Sequence, residues 1–296
     1  MSSLHFYIVD VFAETKYTGN QLAVFTNAAD LTSEQMQLIA KEINYSETTF
    51  LTSPSQILGG YNVRIFTPEQ ELPFAGHPTL GTAYVLQKEL IKIPVQQIFL
   101  NLKIGQVPVN FEYINNVVES LWMQQKAPTF RQMLAVETVG EILRVEPEEI
   151  DSRFPIQEVS TGVPFIIVPM KTLKSLQKIK INQEKYFQLV ATTDAKSILT
   201  FCPETYHPYN HLNVRVFCDF FGIPEDPATG SANGCLAGYL VEYSYFSSQK
   251  ISIRVEQGYE IKRPSLLLLE AEKKDTGAIE VRVGGKAIMT AKGEFL

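Results

Sequence analysis

Glu47 has the side chain and the setting of an acid/base residue. It stands in the segment NYSETTF (residues 44–50), between a predicted helix and a predicted strand. A carboxylate there can abstract a proton and give it back. Most glutamates are solvated surface residues, and taken alone Glu47 would be one of them; the internal repeat described below favours the functional interpretation.

Two glycine-containing loops each join a predicted strand to a predicted helix rich in small residues. They are PFAGHP (residues 73–78) and EDPATGS (residues 225–231). The first turn of a helix offers N–H groups that have no partner within the helix, and the helix dipole adds positive potential. Gly76 and Gly230 allow close backbone approach, so the two loops predict a pocket for an anionic group.

The polar residues of these loops favour a functional interpretation. Either loop alone is ordinary, with His77 or Ser231 acting as a helix cap. An Asp-Pro dipeptide that opens a Thr-Gly-Ser loop is not needed for packing, so we single out Asp226, His77 and Ser231 as candidates for substrate contact.

The sequence contains no motif for binding a metal or a cofactor. Cys202, Cys218 and Cys235 are few, odd in number and widely spaced, which is typical of buried, reduced thiols. His207 and His211 have a proline between them, which disfavours a helical metal pair. There is no phosphate-binding loop and no dinucleotide fingerprint, so we expect neither a metal nor a cofactor.

Short strands and few helices are predicted to position these motifs. Strands are predicted over 5–11, 22–26, 49–53, 61–67, 107–113, 117–123, 157–160, 165–169, 212–217, 251–256, 265–271, 279–284 and 286–290. Helices are predicted over 31–43, 78–90, 138–143, 183–192 and 232–243. The helix over 31–43 has Thr32 as its N-cap. Its predicted amphipathic face consists of Gln35, Leu38, Ile39 and Ile43.

The chain contains an internal repeat. VRIF (residues 63–66) matches VRVF (residues 214–217) at an offset of 151, and AGHPT (residues 75–79) lies opposite TGSAN (residues 229–233) at an offset of 154. Two ordered matches with a nearly constant offset indicate a duplication, with the join near residues 125–130.

A third echo pairs ETTF (residues 47–50) with GVPF (residues 162–165), which makes Gly162 the expected counterpart of Glu47. One half then carries a carboxylate where the other carries none. A single carboxylate of this kind predicts a site with one base.

Composition bounds the class of protein. The chain has 296 residues, of which 45% are hydrophobic, enough for two cores. The net charge is −6, without a basic cluster, which argues against nucleic acid and anionic membranes as partners. Residues 1–10 lack the basic start and apolar stretch of a signal peptide, and the longest aliphatic run, residues 266–269, is far too short to span a membrane. We therefore expect a soluble, cytoplasmic protein.

Four segments together resemble the PhzF-like isomerase family of phenazine biosynthesis. They are GNQLAV (19–24), SETTF (46–50), RIFTP with LPFAGHPT (64–79) and EDPATGSANG (225–234), in the order of the family. The resemblance covers nearly the whole chain. It implies an α+β fold with two pseudo-symmetric half-domains, each a barrel-like, mostly antiparallel sheet around a central helix, as in diaminopimelate epimerase.

The resemblance also implies domain limits. The first half-domain is expected over 1–125 and carries Glu47 and the Gly76–His77 loop. The second is expected over 126–284 and carries the Asp226–Ser231 loop. The final strand, about 285–296, is expected to return to the first half. A homodimer is implied by the family alone.

Roles for individual residues follow from the same resemblance. Glu47, His77 and Asp226 match the family's catalytic positions, with Glu47 as the acid/base group. The expected substrate-binding residues are Asn20, Gly76, Thr229, Gly230 and Ser231. The characterised family member isomerises trans-2,3-dihydro-3-hydroxyanthranilate, so the expected reaction is a suprafacial proton shift on a small anionic metabolite in a biosynthetic process, without a cofactor.

Two alternatives stay open. The first is a racemase or epimerase, which would use one acid on each face of a carbon. The related racemases use two thiols for this, and the matching positions here are Ala75 and Thr229. Cys235 lies inside a predicted helix and not at its start, so this alternative is disfavoured. The other alternative is a small-molecule binding protein that kept the fold and lost turnover. The intact set of Glu47, His77, Asp226 and Ser231 favours the enzyme.

Overall fold

The fold was analysed in a computed structural model, which describes residues 4–53 and 55–296. Residues 1–3 and residue 54 lie outside the described part. Residues 1–3 belong to the segment 1–10, which was predicted to lack the features of a signal peptide. The chain forms two compact units. The first unit consists of Met1–Met123 with Gly284–Leu296, and the second unit of Gln124–Val283.

Strands dominate both units. In chain order they are β1 (Leu4–Val11), β2 (Asn20–Phe25), β3 (Glu47–Leu51), β4 (Tyr61–Phe66), β5 (Glu71–Leu72), β6 (Gln97–Leu102), β7 (Gly105–Ile114), β8 (Val117–Gln124), β9 (Thr129–Leu134), β10 (Ile156–Ser160), β11 (Pro164–Pro169), β12 (Ile198–Cys202), β13 (Leu212–Cys218), β14 (Ile223–Asp226), β15 (Lys250–Gln257), β16 (Ser265–Lys273), β17 (Ile279–Gly285) and β18 (Ala287–Phe295). The α-helices are α1 (Ser33–Ile43), α2 (Gly76–Val85), α3 (Val136–Leu143), α4 (Leu173–Gln177), α5 (Gln183–Val190) and α6 (Gly230–Glu242). A π-helix, Leu86–Ile91, continues α2, and short 3-10 turns cover Pro147–Glu149 and Asp219–Phe221.

The first unit wraps its sheet around α2. β1 pairs antiparallel with β18 and β2, β2 runs parallel to β3, and β3 pairs antiparallel with β4. β4 pairs antiparallel with β5 and parallel with β6, and β6, β7 and β8 follow as an antiparallel series. Every residue of α2 is buried. A helix that is apolar all round belongs in a core, so α2 is the central helix of this unit.

The second unit has the same plan around α6. β10 lies antiparallel between β9 and β11, β11 runs parallel to β12, and β12 pairs antiparallel with β13. β13 pairs antiparallel with β14 and parallel with β15, which pairs antiparallel with β16. All residues of α6 are buried except Ser231 and Glu242, which are half-buried. The α+β fold with a sheet around a central helix in each half, expected from the sequence, is confirmed.

The strand pairings also confirm the duplication. β4 and β13, which carry VRIF and VRVF, occupy the same place in the two patterns. Each has an arginine that forms a bidentate ion pair with a glutamate of the next strand. Arg64 binds Glu71 through two bonds of 2.8 Å, and Arg215 binds Glu225 through bonds of 3.0 and 2.7 Å.

The register corrects the expected counterpart of Glu47. Glu47 pairs with Leu22 and begins β3, the strand that precedes β4. In the second unit the strand that precedes β13 is β12, and the residue in the place of Glu47 is the buried Ser197. Gly162 lies instead in the turn before β11, in the place of Gly19; both glycines have positive φ. The repeat still has a carboxylate on one side only, because serine carries none.

The helix over 31–43 is confirmed, and its buried face is shifted from the predicted one. Thr32 caps α1 and forms a capping box with Gln35. Met36 and Ala40 are the buried residues and pack against the phenylalanines of the core, whereas Leu38 is 67% exposed. Ile39 is only half-buried. The predicted face was therefore partly right: Ile39 and Ile43 pack against the core beside Met36 and Ala40, whereas Leu38 and Gln35 are exposed.

Several boundaries differ from those predicted. α2 begins at Gly76 rather than at residue 78, and α6 at Gly230 rather than at residue 232. The last strand, β18, extends to Phe295 and pairs along its length with β1. The strands missed by the sequence analysis are β5, β6, β9, β12 and β14, and α4 was missed among the helices.

Within the described part of the chain, no helix has both the length and the apolar character needed to cross a membrane.

Candidate active site

Glu47 is held at the N-terminal end of β3, in the interior of the first unit. Its side chain is 14% exposed, and its Oε2 lies 3.4 Å from Nε2 of His77. Side chains alternate along a strand, so Glu47 and Thr49 point the same way. Thr49 Oγ1 lies 2.8 Å from Thr82 Oγ1 of α2. One face of β3 therefore presents Glu47 to the first turn of the central helix.

His77 is the second residue of α2 and is 4% exposed. Its Nδ1 lies 3.3 Å from the amide nitrogen of Asn20. The other ring nitrogen, Nε2, faces Glu47. Asn20, expected to bind substrate, is itself 2% exposed and contacts the ring of His77.

The close contact between His77 and Glu47 is not an ion pair near neutral pH. Burial lowers the pKa of His77 to about 3, because the charged imidazolium is poorly solvated inside the protein. The distance of 3.4 Å alone is that of a salt bridge, but the burial decides the charge. Glu47 thus has a neutral imidazole as its neighbour.

Two glycines position this group. Gly19 turns the chain into β2 at φ +71°, where a Cβ would lie 2.4 Å from the carbonyl oxygen of Val11, and Asn20 follows directly. A Cβ on Gly81 of α2 would lie 2.6 Å from Leu22 Cδ2 and 2.8 Å from Val11 Cγ2. Glycine at position 81 therefore lets α2 pack closely on β1 and β2 without displacing the side chains of Leu22 and Val11.

Asp226 ends β14 in the second unit and is 6% exposed. Its Oδ2 accepts a hydrogen bond of 2.5 Å from the Thr229 hydroxyl. Thr229 is also the N-cap residue of α6, but its side chain makes no capping bond, since it is directed to Asp226. The predicted site residues Asp226 and Thr229 are thus joined.

The helix starts have the form expected of the two glycine loops. Gly76 and Gly230 are the first residues of α2 and α6, and the N-cap residues Ala75 and Thr229 provide no side-chain cap. His77 and Ser231 are the second helical residues, so neither is the cap that the simpler interpretation required. The Gly230 carbonyl accepts a hydrogen bond of 2.9 Å from the side chain of Gln125.

All three cysteines are buried, and none forms a disulfide. Burial raises the pKa of Cys235 to about 11 and that of Cys202 to about 12. Cys235 lies inside α6, 3.6 Å from the Thr161 hydroxyl. A thiol held protonated in this way is a poor base. Residues 4–53 and 55–296 contain no group of three or more His, Cys, Asp or Glu that could hold a metal ion.

Two supporting residues were missed by the sequence analysis. Gln257 contacts the Asp226–Thr229 loop from β15, and Gln125 contacts Gly230. Each forms hydrogen bonds with residues that are far from it in the sequence. The sequence signal for Gln257 is its place directly before Gly258, at the end of a predicted strand, and for Gln125 its place at the predicted join.

Comparison with known proteins identifies the family. Residues 9–293 match the model of the phenazine biosynthesis-like proteins, PhzC-PhzF. The trans-2,3-dihydro-3-hydroxyanthranilate isomerase of Pseudomonas aeruginosa is 34% identical over 291 residues, which cover 98% of this chain and 99% of that protein.

Two solved structures show the fold. The PhzF-family phenazine biosynthesis protein of Bacillus anthracis has a TM-score of 0.91 at 28% identity, with all of both chains covered. A hydroxyproline epimerase from Agrobacterium vitis has a TM-score of 0.66 at 11% identity, over 100% of this chain and 91% of that one, and this second likeness concerns the fold alone. The chain therefore belongs to the phenazine biosynthesis-like family and is an isomerase of the PhzF type.

Proposed function

We propose that the enzyme shifts a proton along one face of a small, carboxylate-bearing metabolite of the amino- or hydroxy-acid kind, including cyclic ones, with Glu47 as its single acid/base group. One observation carries the proposal. The Glu47 carboxyl group lies 3.4 Å from Nε2 of the buried His77. Two further points agree with it: burial lowers the pKa of His77 to about 3, and the equivalent residue in the repeated unit, Ser197, has no carboxylate.

In the proposed reaction the Glu47 carboxylate takes a proton from an activated C–H bond. The electron pair of that bond forms a new double bond to the neighbouring carbon, the π pair of the old double bond moves to the far carbon, and that carbon takes the proton back from the Glu47 carboxyl group. The C–H bond broken and the C–H bond formed balance, so no cofactor is consumed. His77 supplies no second proton near neutral pH, because burial holds its pKa at about 3.

The substrate is proposed to be recognised by the remaining predicted residues. The first-turn N–H groups at Gly76 and Gly230 suit a carboxylate. Asp226, Thr229 and Ser231 suit an amino or hydroxyl group. Asn20 is proposed to act through His77, whose ring it contacts.

The substrate of the Pseudomonas aeruginosa relative, trans-2,3-dihydro-3-hydroxyanthranilate, is a suitable first candidate. It bears a carboxylate, an amino group and a hydroxyl group on one unsaturated ring. These are the groups that helix N–H donors, an aspartate and hydroxyl side chains recognise, and the ring provides the activated C–H bond.

The test is the fate of hydrogen during turnover in deuterated water. The enzyme is incubated with this compound and with a panel of cyclic and β-hydroxy amino acids, and the products are examined by NMR. We expect deuterium at one carbon and on one face, at no more than one atom per turnover. Exchange on both faces of one carbon would indicate a racemase instead. The absence of exchange with every compound would support the binding-protein alternative.

A further inference from the structure

One buried side chain holds the loop that carries Asp226 and Thr229. Gln257, at the end of β15, has no exposed surface. Its Oε1 accepts hydrogen bonds from the Thr229 backbone N–H at 3.2 Å and from Asn233 Nδ2 at 2.8 Å. Its Nε2 donates to the Asp226 carbonyl at 2.9 Å and to Thr229 Oγ1 at 3.1 Å. These four bonds use both lone pairs and both protons of the amide.

The bonds also fix the direction of the Thr229 hydroxyl. A hydroxyl has one proton to donate. Because Gln257 Nε2 donates to Thr229 Oγ1, the hydroxyl keeps its own proton for Asp226 Oδ2, 2.5 Å away. The amide of Gln257 thereby orients the carboxylate of Asp226 through Thr229.

The residue after Gln257 fits the same loop by shape. Gly258 has φ +79°, and a Cβ there would lie 2.6 Å from the carbonyl oxygen of Pro227 and 2.5 Å from that of Arg263. Backbone atoms cannot yield as a flexible side chain can. Gln257 and Gly258 together therefore support the loop from Asp226 to Thr229, one by hydrogen bonds and one by the absence of a side chain.

Comparison of the two repeated units shows that the glutamine amide occurs together with the polar residues of the Asp226–Thr229 loop. In the first unit the strand equivalent to β15 is β6, and its register against β4 places Leu102 where Gln257 stands. There the loop residues equivalent to Asp226 and Thr229 are Leu72 and Ala75. The amide is present only in the unit whose loop has polar groups to orient.

We propose that Gln257 is a positioning residue of the active site, which sets the orientation of the Asp226 carboxylate and the Thr229 hydroxyl. The link to turnover rests on the proposed function, in which Asp226 binds the substrate. The link to the loop does not, and it can be measured without substrate.

The test compares three variants. Gln257→Leu removes all four bonds, and Gln257→Glu keeps the two accepted bonds but loses both donated ones. Glu256→Gln is the matched control: Glu256 is the preceding residue of β15, is equally buried, and accepts bonds from the N–H groups of Tyr206 and His207 and the amides of Asn210 and Asn213. Its four bonds go to a different segment, at residues 206–213.

Hydrogen exchange, followed by mass spectrometry, gives the first readout. We expect Gln257→Leu to accelerate exchange in peptides covering residues 226–233 and to leave those covering 204–213 near the wild-type rate, with the reverse for Glu256→Gln. Equal acceleration of both regions by Gln257→Leu, or no acceleration at 226–233, would overturn the proposal.

Kinetics give the second readout. Misplacement of a substrate-positioning group costs about 10- to 100-fold in rate, so we expect a loss of this size in kcat for both Gln257 variants and less than about threefold for Glu256→Gln. The double variant Gln257→Leu with Asp226→Asn should lose little more kcat than Asp226→Asn alone, because Gln257 acts on the substrate only through Asp226 and Thr229. Full additivity, or equal losses for Gln257→Leu and Glu256→Gln, would contradict positioning. A wild-type enzyme without turnover would refute the proposed function, while hydrogen exchange would still decide the role of Gln257 in the loop.

Discussion

His77 is kept neutral by its burial, and this fixes how it can take part in chemistry. An imidazole with a pKa of about 3 cannot act as a cationic acid near pH 7. It can hold Asn20 on one nitrogen and face Glu47 with the other. A neutral His77 supports the proposal that Glu47 is the group that moves the proton.

The stability of the protein should depend on His77 in acid. The pKa of this group is lower in the folded protein than in the unfolded chain, so between pH 6.5 and about 3 the unfolded chain binds the extra proton and stability falls as the pH falls. The contribution lost between pH 8 and pH 5 is about 2 kcal/mol. Urea denaturation of wild type and His77→Gln across this range should show a shallower pH dependence in the variant. Equal slopes would contradict a neutral, buried His77.

Asp226 is proposed to orient the substrate and not to shuttle protons. Asp226→Asn keeps the shape of the side chain and its capacity to accept from Thr229. We expect it to weaken ligand affinity and kcat together, by roughly 10- to 100-fold in kcat/KM, because an orienting group acts in both the bound and the transition state. Steady-state kinetics decide the point. A loss in kcat alone, with KM unchanged, would assign Asp226 a part in the chemical step.

At the scale of elements, the repeated arginine–glutamate pair ties together the two strands that lead into each central helix, β4 to β5 in the first unit and β13 to β14 in the second. The pair in the second unit is the more buried, since Arg215 and Glu225 are 8% and 9% exposed and Arg64 and Glu71 are 27% and 15% exposed. Arg215 also donates to the carbonyl oxygens of Leu176, Gln177 and Ile179.

Breaking the two pairs should therefore differ in cost. Glu225→Gln leaves a buried guanidinium without its counter-charge, for which we expect a loss of about 3 kcal/mol. Glu71→Gln at the more exposed pair should cost about 1 kcal/mol. The free energies of unfolding in urea test the difference, provided that the m-value is unchanged. A larger loss for Glu71→Gln would contradict the role assigned to burial.

Local signals allowed much of this architecture to be predicted. Thr32, predicted as the N-cap, marks the start of α1, and the small-residue helices after the two glycine loops are the central helices. The strands missed include β5 and β14, which have two and four residues and are too short for a periodicity to show. The face of α1 was set by tertiary packing on Phe25, Phe50 and Phe66, which no local pattern contains.

The repeat was predicted correctly, but one of its pairings was not. The offset between Glu47 and Gly162 is 115 residues, against 151 and 154 for the true matches, and the register assigns Ser197 instead. Gln257 could not have been predicted to hold the Asp226 loop, because its partners lie 24 to 31 residues away in the sequence. Only the pairing of β13 with β15 brings them together.

At the scale of the whole molecule, we propose a homodimer, on the ground of the family resemblance and of the sheet edges that a strand-rich chain must cover. Light scattering after size exclusion, at micromolar protein, should give twice the mass of 33.3 kDa. A monomer at that concentration would overturn this proposal without affecting the role of Glu47.

The central claim is that Glu47 alone carries the proton, and Glu47→Gln tests it most directly. Glutamine keeps the size of the side chain and removes the titratable group, so affinity for a stable analogue such as 3-hydroxyanthranilate should stay within about threefold while exchange and turnover fall. Loss of a general base costs about 10²- to 10⁴-fold, and Ser197 offers no replacement. The comparison is made with Asp226→Asn, which should still exchange hydrogen on substrate that it binds.

The measurement is the rate at which deuterium from the solvent enters a bound substrate, followed by NMR for wild type and both variants at saturating ligand. The account predicts exchange in wild type, slower exchange in Asp226→Asn and none above background in Glu47→Gln. If Glu47→Gln exchanges that hydrogen as fast as wild type, the one-base mechanism is wrong and the proton carrier is Asp226 or His77.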